Sequence, residues 1–342
     1  MSDIALYRKY RPGDFDEVLG QDHIVKVLKG AIKLGNISHS YLLFGSRGTG
    51  KTTIARIIAR ELETSPNDIF EIDAASNRGI DDIRELREGI STLPFDSKYK
   101  VYIIDEVHML TKEAWNALLK TLEEPPAHVI FILATTEIEK VPDTIVSRCQ
   151  VFTFKKPTTV VLKELIEKVV KNEKWKIAPA GVELIATLGD GSFRDTHGIL
   201  QKLMSYSKDK SITLEEIESV TGAPSTTLVN SFIESIASKN IETGLLAIQK
   251  ASSQNIEMEL YLRLILAKLR MALLLRYAPE MKGDLAESMS DEDKTFMLSI
   301  LKEKGGLINS KTLEVLLETL GTMKYASIKE LPLELALVKI LE

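Results

Sequence analysis

Residues 45–52 read GSRGTGKT, and three of the chain's 19 glycines fall inside six positions of it. Successive backbone N–H groups can converge on one anion only where the chain turns tightly, which glycine permits. Gly45, Gly48 and Gly50 meet that need, with Ser46, Arg47 and Thr49 between them. Lys51 supplies a cation for the terminal phosphates of a nucleotide, Thr52 a hydroxyl for Mg²⁺, and Thr53 completes the first helical turn. A second acidic centre is needed for the metal and the attacking water. KVYIIDEVHML (100–110) offers Asp105 for Mg²⁺ and Glu106 to orient or deprotonate the water. An acidic turn after a strand is common on its own, and the pairing with a phosphate loop gives this one its meaning. HVIFILATTE (128–137) ends in Thr136, the choice for positioning that water, with Thr135 close behind. β-branched threonines also suit a strand end for no catalytic reason. Arg148 and Arg194 could each stabilise charge on a transferring phosphoryl group, or could be surface ion pairs, and spacing does not decide.

These side chains require strands that end where the loops begin. SYLLF (40–44) reads as a buried strand, and residues 52–62 place Ile54, Ile57, Ile58 and Leu62 at helical spacing. Strand, glycine loop and helix in that order put phosphates at a helix N-terminus. Val101 to Ile104 form a second apolar strand and residues 128–137 a third. Residues 70–86 give a strand followed by a helix opened by Asp81, and VFTF (151–154) a fifth strand. Strands alternating with helices predict a doubly wound α/β parallel sheet with ligands at the strand C-termini. Residues 158–221 read as a small three-helix domain, with Gly222 and Pro224 marking a linker. Beyond it every segment has helical period, with Leu228, Val229, Phe232, Ile233 and Ile236 on one face and Asn309 or Ser310 capping a later helix. The expected domains are 1–157, 158–221 and 222–342.

The chain's 342 residues exceed one ordinary core, and 44% apolar with 27% charged residues suits a globular protein. A net charge of −5 argues against coating nucleic acid by bulk charge while leaving room for a local basic surface. Cys149 is the only cysteine and the five histidines are scattered, so neither a disulfide nor a zinc site is expected. The N-terminus has no apolar signal core, and the most apolar helix is interrupted by Lys268, Arg270 and Arg276. The expected location is the cytoplasm, with no membrane association.

Together these pieces resemble the AAA+ superfamily. The match narrows with ALYRKYRPGDFDEVLGQDHIV, HSYLLFGSRGTGKTTIARIIA, the long stretch from YKVYIIDEVHML to FILATTE, and SRCQVF. Over about residues 4–200 the chain is similar to the gamma/tau motor subunits of bacterial DNA polymerase III clamp loaders, and beyond that the resemblance is one of layout. SRC is characteristic of clamp loaders, and Glu123, Glu124, Pro125 and Pro126 point to the bacterial branch. The resemblance implies an ATPase domain with a three-helix lid and an all-α collar. It implies ATP and Mg²⁺ as ligands, and a motor that opens a sliding clamp and loads it on primed DNA. The implied partners are other clamp-loader subunits (delta, delta-prime, further gamma copies), the clamp and primer-template DNA. It makes Arg148 a residue acting in trans on a neighbour's ATP and Arg194 a sensor acting on the chain's own. Tyr7, Arg11 and Pro12, with Val18, would line the adenine pocket. Members of this family usually carry a four-cysteine zinc module between the helix after the phosphate loop and the next strand. Here ARELETSPNDIFEID runs through without it, so any contact the module makes is lost. The chain stops after the helical third region, without the long tau tail, which implies a short form, a truncation or a compact homologue. Two alternatives stand beside this reading. One is a scaffold that keeps the fold without ATPase chemistry, against which Lys51, Thr52, Asp105 and Glu106 argue. The other is a different AAA+ motor, although an unfoldase's aromatic–Val–Gly pore loop is missing from residues 76–100. Arg78 is a candidate DNA-phosphate contact or a solvated turn residue.

Overall fold

A computed structural model describes residues 4–77, 89–278, 291–303 and 306–342. It divides into two compact units, Met1–Leu165 with Gly189–Gly198, and Ile166–Leu188 with Ile199–Glu342. The expected helix opened by Asp81, and Arg78, lie outside the described residues.

The first unit is built on five parallel strands, β1 (Ser40–Phe44), β2 (Ile69–Asp73), β3 (Lys100–Asp105), β4 (Val129–Thr135) and β5 (Gln150–Thr153), in the order β2-β3-β4-β1-β5. β3 and β4 are near-continuous apolar runs because both faces of the sheet are covered. Alternation sorts their side chains. Tyr41, Leu43, Val101, Ile103, Ile130 and Ile132 pack with Ile54, Ile57 and Ile58 of α3 (Lys51–Glu61). Leu42, Tyr102, Ile104, Phe131 and Leu133 pack with residues from the segment after β3. Of α1 (Leu6–Lys9), α2 (Asp22–Lys33), α4 (Lys112–Glu123) and α5 (Asp143–Val146), α4 supplies Trp115, Leu118 and Leu122 to that second face. Thr111 starts α4 by accepting from the Ala114 N–H at 3.2 Å. The register pairs Phe44 with Thr135 and Asp73 with Asp105, so the strands end together at one edge of the sheet.

The three helices expected after the sheet are α6 (Thr159–Glu173), α7 (Pro179–Leu188) and α8 (Phe193–Tyr206). The segment also holds a two-stranded parallel ladder, β6 (Lys176–Ile177) with β7 (Ser211–Ile212), and a short helix α9 (Leu214–Thr221). Two-residue strands carry no periodicity to read. α9 is announced instead by a capping box, Thr213 with Glu216, and stopped by Gly222 in the left-handed region at φ 69°.

The rest of the second unit is helical among the described residues: α10 (Thr226–Ser238), α11 (Ile241–Ser253), α12 (Met258–Tyr277), α13 (Asp291–Glu303), α14 (Ser310–Met323) and α15 (Leu331–Leu341). The expected face Leu228, Val229, Phe232, Ile233 and Ile236 is buried in its core. Of the two candidate caps, Asn309 accepts from the Thr312 N–H at 3.2 Å. Lys268, which interrupts the apolar run of α12, is held by Asn230 at 2.8 Å and Asp293 at 2.6 Å. No described helix is long and apolar enough to cross a membrane.

Candidate nucleotide site

The glycine loop leaves β1 at the sheet edge where the strands end and enters α3. Gly48 and Gly50 have φ of 76° and 101°, a region in which a Cβ is strained, and Gly50 is the N-cap of α3. Gly45 permits close approach: a Cβ there would lie 2.7 Å from Phe154 Cβ. The Gly45 N–H donates to the Thr135 carbonyl at 3.2 Å, and Thr49 Oγ1 donates to the Ser46 carbonyl at 2.9 Å. Arg47 at the loop tip is exposed and Thr53 is half-buried on α3.

Lys51 is a buried lysine whose ammonium folds back over the loop, donating to the Gly45 carbonyl at 2.7 Å and the Ser46 carbonyl at 3.0 Å. Burial pushes its pKa below the ordinary lysine value, against the opposing pull of Glu106 and Asp105. An anion seated on the loop would relieve that desolvation. Thr52 Oγ1 donates to Asp105 Oδ2 at 2.7 Å, which brings the two expected metal ligands together from α3 and the end of β3. A hydroxyl and a carboxylate are hard oxygen donors, the set that suits Mg²⁺.

Glu106 follows in a left-handed conformation at φ 49°, and its own N–H donates to Asp105 Oδ1 at 3.0 Å. Its Oε2 accepts from Thr136 Oγ1 at 3.2 Å. Thr135 is fully buried, its hydroxyl engaged with the Glu137 backbone at 3.2 and 3.0 Å and with His108 Nδ1 at 3.0 Å rather than with Glu106. Of the two threonines, Thr136 is therefore the one beside Glu106.

The N-terminal segment is pinned to the same region. Arg60 of α3 donates to the Gly13 carbonyl at 2.8 Å, beside Arg11 and Pro12, and Val18 packs against the α3 face of the core. The start of α8 docks on the glycine loop through the Phe193 N–H and the Gly48 carbonyl at 3.0 Å. There the Arg194 guanidinium lies 5.3 Å from the centroid of Tyr7, and His197 stacks on Tyr10 at 6.3 Å. Tyr7, Arg11, Pro12, Val18 and Arg194 thus belong to segments anchored around α3 and its loop.

Arg148 stands elsewhere. It precedes β5, and its carbonyl accepts from Ser40 Oγ at 2.7 Å, at the start of β1. The glycine loop follows the other end of β1, four strand steps or roughly 13 Å away. The Arg148 guanidinium donates to Glu123 at 2.7 Å and to the Thr144 carbonyl at 2.7 Å.

Two groups at the site escape sequence reasoning. His108 lies between Glu106, Thr135 and Glu137, and Ser192 sits so close to Gly48 that an added Cβ would collide with its Oγ. Both contacts join segments distant in sequence, and no local spacing announces them.

Comparison with known proteins narrows the family. The family described as "DNA polymerase III, delta subunit" matches residues 62–158. A DNA polymerase III subunit tau of Bacillus subtilis is 38% identical over 99% of this chain and 63% of its own length. The gamma/tau subunit of Mycoplasma pneumoniae is 40% identical over 77% of this chain and 42% of its own, and the tau subunit of Escherichia coli is 34% identical over 83% and 47%. The chain spans less than two thirds of the length of these relatives. Among solved structures, the Thermotoga maritima RuvB Holliday junction branch migration motor aligns with a TM-score of 0.53 at 25% identity, over 68% of this chain and 80% of its own. With a parallel sheet of order β2-β3-β4-β1-β5, a phosphate-type loop where its strands end and these relatives along 77–99% of its length, the chain is similar to the DNA polymerase III gamma/tau subunits and has an AAA+ ATPase fold.

Proposed function

We propose that this chain binds and hydrolyses ATP with Mg²⁺ as a motor subunit of a bacterial clamp loader. In this reading it opens a sliding clamp and seats it on primer-template DNA. The observation that carries the reading is the convergence of Thr52 with Asp105 and of Thr136 with Glu106 beside the buried Lys51. A scaffold that had lost its chemistry would have no need of that constellation. The loop's backbone N–H groups after Gly45, as far as Thr52, cradle the phosphates, and Lys51 exchanges its loop carbonyls for phosphate oxygens. Thr52 and Asp105 hold Mg²⁺, which when bound neutralises charge on the transferring group. Glu106 orients the attacking water and Thr136 fixes the Glu106 carboxylate. Arg194 reads the chain's own γ-phosphate, and Tyr7, Arg11, Pro12 and Val18 line the base pocket.

Arg148 acts on the ATP of a neighbouring subunit, a role supported by its place at the far end of β1 from its own loop. The working assembly comprises further gamma copies with delta and delta-prime subunits in the cytoplasm. Residues 1–157 act as the ATPase domain, 158–221 as the lid and 222–342 as the collar. The test is ATP turnover of the assembled complex with and without the cognate clamp and primed DNA. Stimulation by both together is the expected result, and turnover indifferent to either would remove the clamp-loading assignment. A strand-displacement assay separates this reading from a branch-migration motor.

A further inference from the structure

His108 lies in the short turn Val107–Met109 after β3, and its side chain is 7% exposed. Its ring stands between two carboxylates. Nε2 is 3.2 Å from Glu137 Oε1, and Nδ1 is 3.4 Å from Glu106 Oε2 and 3.0 Å from Thr135 Oγ1. An ionised carboxylate only accepts, so Nε2 carries a hydrogen and donates it to Glu137. Glu137 is held from its other side by Lys140 at 2.7 Å, which with the His108 ring keeps its carboxyl below the ordinary glutamate range. That leaves the Nδ1 edge facing Thr135 and Glu106. A hydrogen on Nδ1 is donated to Thr135 Oγ1 and draws in Glu106 Oε2; without one, Nδ1 accepts from Thr135 only by taking the hydroxyl hydrogen that Thr135 otherwise gives to the Glu137 carbonyl. In both cases the ring is anchored on the tip of β4 and bounds the space open to the Glu106 side chain.

Glu106 needs such a boundary. Its left-handed backbone at φ 49° belongs to neither a strand nor a helix that would set its side-chain direction. Among the described residues, the two groups that meet its carboxylate, Thr136 Oγ1 at 3.2 Å and His108 Nδ1 at 3.4 Å, both fall on Oε2. Oε1 is then the oxygen left to accept from water. The same β4 tip receives the Gly45 N–H on the Thr135 carbonyl, so the anchor of Glu106 is also the anchor of the glycine loop. We propose that His108, backed by Glu137, is the positioning residue that fixes the Glu106 carboxylate against the tip of β4 for attack on the nucleotide.

The inference rests on the reading of Glu106 as the water-orienting group, and the experiment separates the two. Steady-state ATPase of the assembled complex and ATP affinity are measured for Glu106→Gln, His108→Leu, His108→Asn, Glu137→Gln and the double variant His108→Leu/Glu137→Gln. The expected result for His108→Leu is a kcat lower by about 10–100-fold, less than the roughly 10²–10⁴-fold that general-base catalysis itself contributes, with ATP Kd changed less than about twofold. Asn places an amide nitrogen near the position of Nδ1, so His108→Asn keeps more activity than His108→Leu. Glu137→Gln lowers kcat in the same direction. The double variant is no slower than His108→Leu alone, because both substitutions act on one path to Glu106. A site that matters only for packing gives the reverse order, with Leu as good as or better than Asn, and that result overturns the proposal. So do additive effects of His108→Leu and Glu137→Gln, or an ATP affinity that falls as far as kcat. Where His108→Leu fails to fold on sizing and melting, His108→Asn and Glu137→Gln decide the matter, and full activity in both overturns it. An unchanged rate in Glu106→Gln removes the parent reading, whereas a dead Glu106→Gln beside unaffected His108 variants removes this inference alone.

Discussion

Lys51 is a cation in search of an anion. Burial disfavours its charge, the loop carbonyls of Gly45 and Ser46 hold it at 2.7 and 3.0 Å, and the neighbouring carboxylates of Glu106 and Asp105 stabilise it. Lys51→Ala removes the group that would meet the terminal phosphates. Charge-assisted bonds of this kind contribute roughly 1.5–3 kcal/mol each, so ATP Kd is expected to rise by about 10–100-fold. A nucleotide titration checks it, and an unchanged affinity would count against the phosphate loop. Glu106→Gln makes a different statement. It keeps the shape and the Thr136 contact but gives up the negative carboxylate, so ATP still binds while kcat falls by about 10²–10⁴-fold. The separation of binding from turnover in these two variants distinguishes a cradle from a catalyst.

At the scale of elements, the helical unit depends on small residues where helices meet. Gly244 of α11 has no room for a side chain: an added Cβ would collide with the Leu337 side chain of α15 and lie 2.6 Å from Ser235 Oγ of α10. Gly244→Val therefore forces three helices apart. The expected cost is about 1–3 kcal/mol of overpacking. Thermal melting should show a lower transition, while ATP affinity, which depends on Lys51 and the glycine loop in the other unit, stays at the parent value. A variant that melts like the parent would show that the close approach of α10, α11 and α15 is not maintained in solution.

At the scale of the whole molecule, the placement of Arg148 separates a self-contained enzyme from one completed by its neighbours. The arginine lies at the start of β5 and bonds Glu123, with the length of β1 between it and the glycine loop. Arg148→Ala subunits should still bind ATP in their own site, and the assembled complex should lose about 10³–10⁵ in rate, as other arginines of this type do. Mixing Arg148→Ala with Glu106→Gln subunits then gives partial rescue, since some interfaces join a sound Glu106 to a sound Arg148. Sizing confirms assembly, turnover measures rescue, and its absence would assign Arg148 to its own chain.

What could be read in the sequence alone was whatever depends on neighbours along the chain. The glycine loop is a contiguous motif, since a turn that gathers backbone N–H groups is made by consecutive residues. The strands β1, β3 and β4 show as apolar runs because both faces are buried, and the face of α10 shows as helical periodicity. Asp105 and Glu106 could be named as candidates because they end an apolar run in a chain that also carries a glycine loop. Tertiary structure decided the rest. The run of residues 128–137 does not say which of Thr135 and Thr136 meets Glu106, because that depends on the register of β3 against β4 and on where β4 ends. The same register carries His108 to Thr135 and Glu137, across more than a helix and a strand of intervening chain. The pairing of β1 with β5 sets Arg148 beside Ser40 at the far end of β1, a position that no spacing of the motif SRC encodes. Side chains on one element take their direction from local geometry, whereas pairs drawn from two elements meet only where strand pairing and packing set the offset between them.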